Sequence, residues 1–114
     1  MVDLKIIFIL LFLHFLADFP LQSSWMSNNK SKKFLPLFSH VGVHFLLLSL
    51  IGIYFAILNA FLHFIIDFIT SRVSSYFWKT GKENLFWIVI GFDQLLHYVC
   101  LFGTYVVLNS YGFI

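Results

Sequence analysis

Apolar residues run along this chain in long unbroken stretches, and the few polar interruptions recur at intervals of four. Residues 4–19 form the first stretch, stopped by Pro20. A polar segment follows over residues 22–33, carrying Asn28, Asn29 and three lysines. From residue 34 to 70 the chain is again almost wholly apolar. At about 1.5 Å per helical residue, that run is too long for one membrane span and long enough for two. The break is expected between Tyr54 and Asn59, with Gly52 loosening the preceding end, and Gly81 is placed to cap the third helix. The pattern therefore predicts four spans, over residues 4–19, 36–55, 59–78 and 85–108. A transmembrane β-strand would alternate apolar and polar residues, which these runs do not. The expected fold is all-α: a single domain over residues 1–114, a polytopic membrane protein built as an antiparallel bundle of four transmembrane helices.

Composition supports a lipid environment. Hydrophobic residues make up 61% of the 114 and charged residues 11%, and a soluble fold this small could not bury so much apolar surface. A net charge of +2 gives no electrostatic footprint for nucleic acid. The single cysteine, Cys100, rules out a disulfide framework or a cysteine zinc knuckle. The first span resembles a secretory signal, but no small-residue cleavage site follows it, so a retained helix is expected. No lipidation signal is visible at the C-terminus. With four spans, Lys30, Lys32 and Lys33 share one side with Arg72, Lys79 and Lys82, leaving Lys5 opposite. Six basic residues against one put the basic loops in the cytoplasm and both termini outside. Trp25, Trp78 and Trp87 fall near the basic side, where interfacial indoles belong.

Into this apolar frame the chain sets four pairs at i, i+4: His14 with Asp18, His40 with His44, His63 with Asp67, and Asp93 with His97. They use all five histidines and three of the five acidic residues. The spacing places each pair on one helix face, one turn apart. Tracing them through the four spans brings all eight side chains to one band between the bilayer centre and the basic side. Asn59, Ser71 and Ser75 extend the third helix's polar seam in steps of four, and Gln22 extends the first.

A carboxylate at the centre of a spanning helix costs about 2.5–3.5 kcal/mol to insert, so three cost on the order of 8–10 kcal/mol. A divalent cation neutralises them and keeps histidine in its neutral, ligating form. Mixed imidazole and carboxylate ligands suit zinc first, then manganese, iron or nickel. Eight candidates (His14, Asp18, His40, His44, His63, Asp67, Asp93 and His97) imply two ions, or one ion with supporting partners and a base. Asp18, His44 and Asp93 are the candidate catalytic groups. Gln22, Arg72 and Gln94 are candidates for orienting a substrate, with Arg72 placed for a phosphate. The lysines of residues 30–33 read as a topology signal and a contact for anionic lipid.

The stretch HFLADFPLQSSWM from His14 to Met26, with Lys30 downstream, resembles the signature of a small bacterial and phage membrane family catalogued as domain of unknown function 3307. His40, the segment His63 to Asp67 and the segment Asp93 to His97 also match its pattern, so the resemblance covers nearly the whole chain. It implies an integral membrane protein, in the bacterial inner membrane, and supplies no established activity. The HxxxD motifs alone are similar to those of inner-membrane proteins assigned as metal-dependent hydrolases and, more remotely, zinc-dependent phospholipase C. That likeness places hydrolysis first among metal functions.

The leading expectation is a membrane-embedded metal-dependent hydrolase, with metal-bound water attacking a phosphoester or lipid-linked substrate in the cytoplasmic leaflet. A metal-ion or proton transporter would use the same ligands but needs polar residues continuing to the far side. A non-enzymatic membrane interaction protein, such as a phage-encoded one, would need no ligand chemistry. Membrane lipid or lipid-linked phosphate is the expected partner, and a homo-oligomer is compatible with the chain.

Overall fold

The computed structural model describes residues 3–114. Five helices follow one another: α1 (Leu4–Asp18), α2 (Ser24–Asn29), α3 (Phe34–Leu48), α4 (Ile53–Lys79) and α5 (Glu83–Ser110), with no strand among the described residues. The Asp3 side chain starts α1 by accepting from the Ile6 amide at 2.9 Å. Phe19 still bonds back to the Phe15 carbonyl, and Pro20, which has no amide hydrogen to continue the ladder, ends the helix. Ser23 caps α2 by accepting from the Met26 amide at 3.2 Å. Pro36 sits in the first turn of α3, where its missing amide hydrogen costs nothing.

The turn between α3 and α4 lies at residues 49–52, earlier than the expected Tyr54–Asn59 break. Backbone bonds from Leu50 to Leu47 and from Ile51 to Leu48 tighten α3 to a close, and Gly52 leads directly into α4. No glycine or proline stands between Tyr54 and Asn59, so nothing there stops a helix from continuing. Asn59 is instead an interior residue of α4, donating from Nδ2 to the Thr104 hydroxyl at 2.8 Å and so tying α4 to α5. Gly81 closes α4 at φ +75°, with the Lys82 amide reaching back to the Phe77 carbonyl at 2.9 Å. That six-residue return needs a left-handed residue, which glycine supplies without strain.

The long helices run antiparallel around a common axis, in a body of 46 × 26 × 21 Å. α4 packs between α3 and α5, and α1 lies against α3 and α5. One end is a close-packed apolar cluster of Leu10, Leu13, Leu48, Phe55, Ala56, Leu101 and Tyr105. Large apolar side chains also cover the outside: Phe8, Phe12, Leu46, Phe61, Ile69 and Val99 are each more than half exposed. α4 and α5, of 27 and 28 residues, are long and apolar enough to cross a membrane. α1 and α3 have 15 residues each, about 22 Å of helix and shorter than a hydrocarbon core of about 30 Å, so length alone identifies two spans.

Candidate metal centre

Each of the four principal helices delivers one of the i, i+4 pairs to the bundle interior, and all eight side chains are buried. α1 contributes His14 and Asp18, α3 His40 and His44, α4 His63 and Asp67, and α5 Asp93 and His97. They form one connected cluster. Asp18 Oδ1 lies 2.8 Å from His44 Nε2 and 3.3 Å from His40 Nε2. Its Oδ2 is 3.0 Å from His14 Nε2 and accepts from Gln94 Nε2 at 3.0 Å. Asp67 Oδ2 lies 3.2 Å from both His40 Nε2 and His63 Nε2. Asp93 accepts from the Thr70 hydroxyl and lies 3.3 Å from His97 Nδ1.

The nitrogen geometry separates this cluster from a set of ion pairs. His40 Nε2, His63 Nε2 and Asp67 Oδ2 form a closed triangle, with edges of 3.3, 3.2 and 3.2 Å. A hydrogen bond joins two atoms along one direction, and a single ring nitrogen cannot satisfy three neighbours at once. Zinc bonds of about 2.0–2.2 Å give donor separations of about 3.3–3.6 Å along the edge of a tetrahedron, which the triangle approximates. Two groups have donor atoms close enough to hold an ion: Asp18, His40, His44 and His63, and then His63, Asp67 and His97. His63 belongs to both. Neither ring nitrogen of His97 makes a hydrogen bond, although Asp93 and Asp67 oxygens stand 3.3 and 3.6 Å away. An unpaired polar atom buried this way calls for a partner, and a metal is one that imidazole serves well.

The electrostatic setting is demanding. Asp18 occupies the last turn of α1, where the helix's own partial negative charge opposes a carboxylate. Lys30, in the turn after α2, places Nζ 3.4 Å from Asp67 Oδ2. Three carboxylates and one ammonium leave two negative charges among five imidazoles, and the rings pack closely. His63 lies 3.9 Å from His44 and 4.0 Å from His97 between ring centroids.

The cluster has a closed side and an open side. Toward the Leu10–Leu101–Tyr105 end it meets apolar packing, with a void of only about 10 Å³ between them. In the other direction Asp67 and Asp93 form part of the wall of a cavity of about 590 Å³. Lys30, Lys32 and Lys79 line that cavity, as do Ser71, Ser74 and Ser75 on α4.

The three residues expected to orient a substrate do not line this cavity. Gln94 turns inward, bridging His14, Asp18 and Asp93. Gln22 donates to the Asp18 carbonyl at 2.6 Å, holding the frayed end of α1. Arg72 folds along α4, donating to the Phe68 carbonyl and stacking 3.8 Å over the Phe68 ring. A long cation on an apolar face gains more from that stacking than from crossing the helix to the seam. Lys30 and Thr70 are the participants that the i, i+4 pattern does not reveal. Lys30 arrives from another segment, and Thr70 stands one residue off the Asp67–Ser71–Ser75 seam.

These features define a small all-helical protein with a buried histidine–aspartate centre that opens at one end. The family model described as "Protein of unknown function (DUF3307)" matches residues 6–112, and the chain belongs to that family. No curated protein matches the chain, and no solved structure does.

Proposed function

We propose that this protein is a membrane-embedded, divalent-metal-dependent hydrolase acting on a phosphoester at the cytoplasmic leaflet. The observation that carries the metal reading is the triangle of His40, His63 and Asp67 donor atoms, with edges of 3.2–3.3 Å. A dication balances the two uncompensated charges and lets five closely packed imidazoles stay neutral. Zinc fits this ligand set best, with manganese, iron and nickel as alternatives, and His63, common to both candidate groups, ligates one ion at a time while neutral. Lewis-acid activation of water beside a cavity lined by lysines is chemistry suited to phosphoester hydrolysis. Asp18, His44 and Asp93 are the groups proposed to hold or move the proton.

The four-helix transmembrane arrangement is part of the same proposal. Apolar exposure on α1 and α3 as well as on α4 and α5 supports lipid contact all round. The short helices fit a bilayer that thins locally around them. Lys30 and Lys79 line one cavity, in keeping with both basic loops on a single, cytoplasmic side. A transport path gains less support, because the apolar end blocks the route beyond the histidines.

The test is protein purified in mild detergent without chelators, with bound metal counted by mass spectrometry and hydrolysis of phosphoester lipids followed by phosphate release. Wild type is expected to carry stoichiometric metal and to turn over substrate, and His63→Ala to lose both. Metal-free wild-type protein that stays metal-free after incubation with zinc and manganese sinks the reading.

A further inference from the structure

The cavity beside the metal centre has two chemically distinct walls. One is polar: Lys30 and Lys32 from the segment after α2, Lys79 at the end of α4, the hydroxyls of Ser71, Ser74 and Ser75, and, where it borders the metal centre, Asp67 beside Lys30 and Asp93. The other is apolar and aromatic, formed by Trp78, Phe86, Trp87 and Ile90. Its rings touch in sequence, with Trp78 and Trp87 each 5.0 Å from Phe86 between centroids. Trp87 keeps 59% of its surface exposed, so this wall continues onto the outer face of the bundle.

Ser71 adds an independent sign of a ligand. It is 91% buried and lines the cavity, and its hydroxyl has no hydrogen-bond partner among the described residues. Its neighbour Ser74 spends its own proton on the Ser71 carbonyl. A buried hydroxyl left unpaired is unfavourable by about 1–3 kcal/mol, so a bound acceptor oxygen is expected there. The volume, about 590 Å³, lies in the range that encloses ligands much larger than a bare phosphate.

We infer that this cavity binds the phosphate-monoester headgroup of an amphiphile, with Lys32, Lys79 and the Ser71 hydroxyl facing the phosphate and the Trp78–Trp87 wall receiving the chain. The inference rests on the hydrolase reading, of which it names the substrate class, but headgroup binding is measurable without turnover. A monoester carries more charge and more free acceptor oxygens than a diester, which suits the two ammonium groups of Lys32 and Lys79 and an unpaired hydroxyl. The apolar wall distinguishes an amphiphile from inorganic phosphate.

The experiment uses the full chain in phosphatidylcholine nanodiscs, with Trp25→Phe so that fluorescence comes from Trp78 and Trp87. Brominated phosphatidic acid, phosphatidylglycerol and phosphatidylcholine are compared as quenchers at equal mole fraction. Phosphatidic acid is expected to quench most, and Lys32→Ala with Lys79→Ala to weaken its binding about 30-fold, a factor of about five for each lysine. Equal quenching by phosphatidic acid and phosphatidylglycerol overturns the inference, leaving only general attraction to anionic lipid. So does a preference that survives both lysine substitutions. Inorganic phosphate displacing the brominated lipid at equal concentration overturns the amphiphile half. Metal content is counted on the same samples. Wild-type protein that binds metal but shows no preference for phosphatidic acid removes this inference alone, and wild-type protein that keeps the preference yet takes up no metal removes only the metal reading.

Discussion

The same four helices build two opposite interiors. At one end Leu10, Leu13, Leu48, Phe55, Ala56, Leu101 and Tyr105 interlock, and at the other five imidazoles and three carboxylates meet beneath a cavity. The apolar end is held by packing, and apolar residues of similar volume can replace one another there at small cost. The polar end must satisfy each nitrogen and oxygen individually, and within the protein alone it does not. His97 and Ser71 keep unpaired atoms, and the His40–His63–Asp67 triangle exceeds what hydrogen bonds can join. The difference teaches that the apolar end is complete by itself, while the polar end leaves bonding capacity unused by the protein's own groups.

Substitution at each end can break that division. The largest effect is expected for Asp67→Asn, which keeps volume and removes a charge: metal occupancy measured by mass spectrometry should fall to background. Leu101→Ala is the counterpart. It should keep full metal occupancy while losing about 2 kcal/mol of stability in denaturant unfolding, the low end for a buried leucine because lipid rather than water is the reference. Metal lost equally in both variants would show that the two ends are one cooperative unit. Thr70→Val comes next. Removing the hydroxyl that orients Asp93 should weaken metal affinity about 10- to 100-fold in a competition titration without changing the fold. The smallest effect belongs to Asn59→Leu at the border. Losing its bond to Thr104 should cost about 0.6–1.7 kcal/mol in thermal unfolding and leave the metal count untouched.

The sequence exposes the centre because the ligands obey a local rule. A pair one turn apart on an apolar helix is visible without knowing what the helix packs against, and four such pairs arrive together in the fold. The Asp67–Ser71–Ser75 seam is visible for the same reason. Lys30 is not, because its approach to Asp67 depends on how α2 folds over the bundle. Gln22 and Arg72 carry suitable chemistry, yet neighbouring carbonyls and a phenylalanine ring claim them first. The α3–α4 turn is less legible than the helices themselves, because it falls inside one continuous apolar run. The seam places Asn59 on the third helix, and its burial and its bond to Thr104 show that the helix continues well before it.

α1 gives out at Asp18, level with the middle of α3, and the wall beyond it comes from α2 and the turn after it. That roof is a helix of only six residues packed against α3, so its displacement would separate no long helix from its neighbours. Exchange of the proposed ion with water on the lysine-bearing side would therefore need no rearrangement of the bundle. Occupancy would then follow the supply of that ion in the compartment the lysines face, and starvation for it there would empty the centre while the scaffold stays whole.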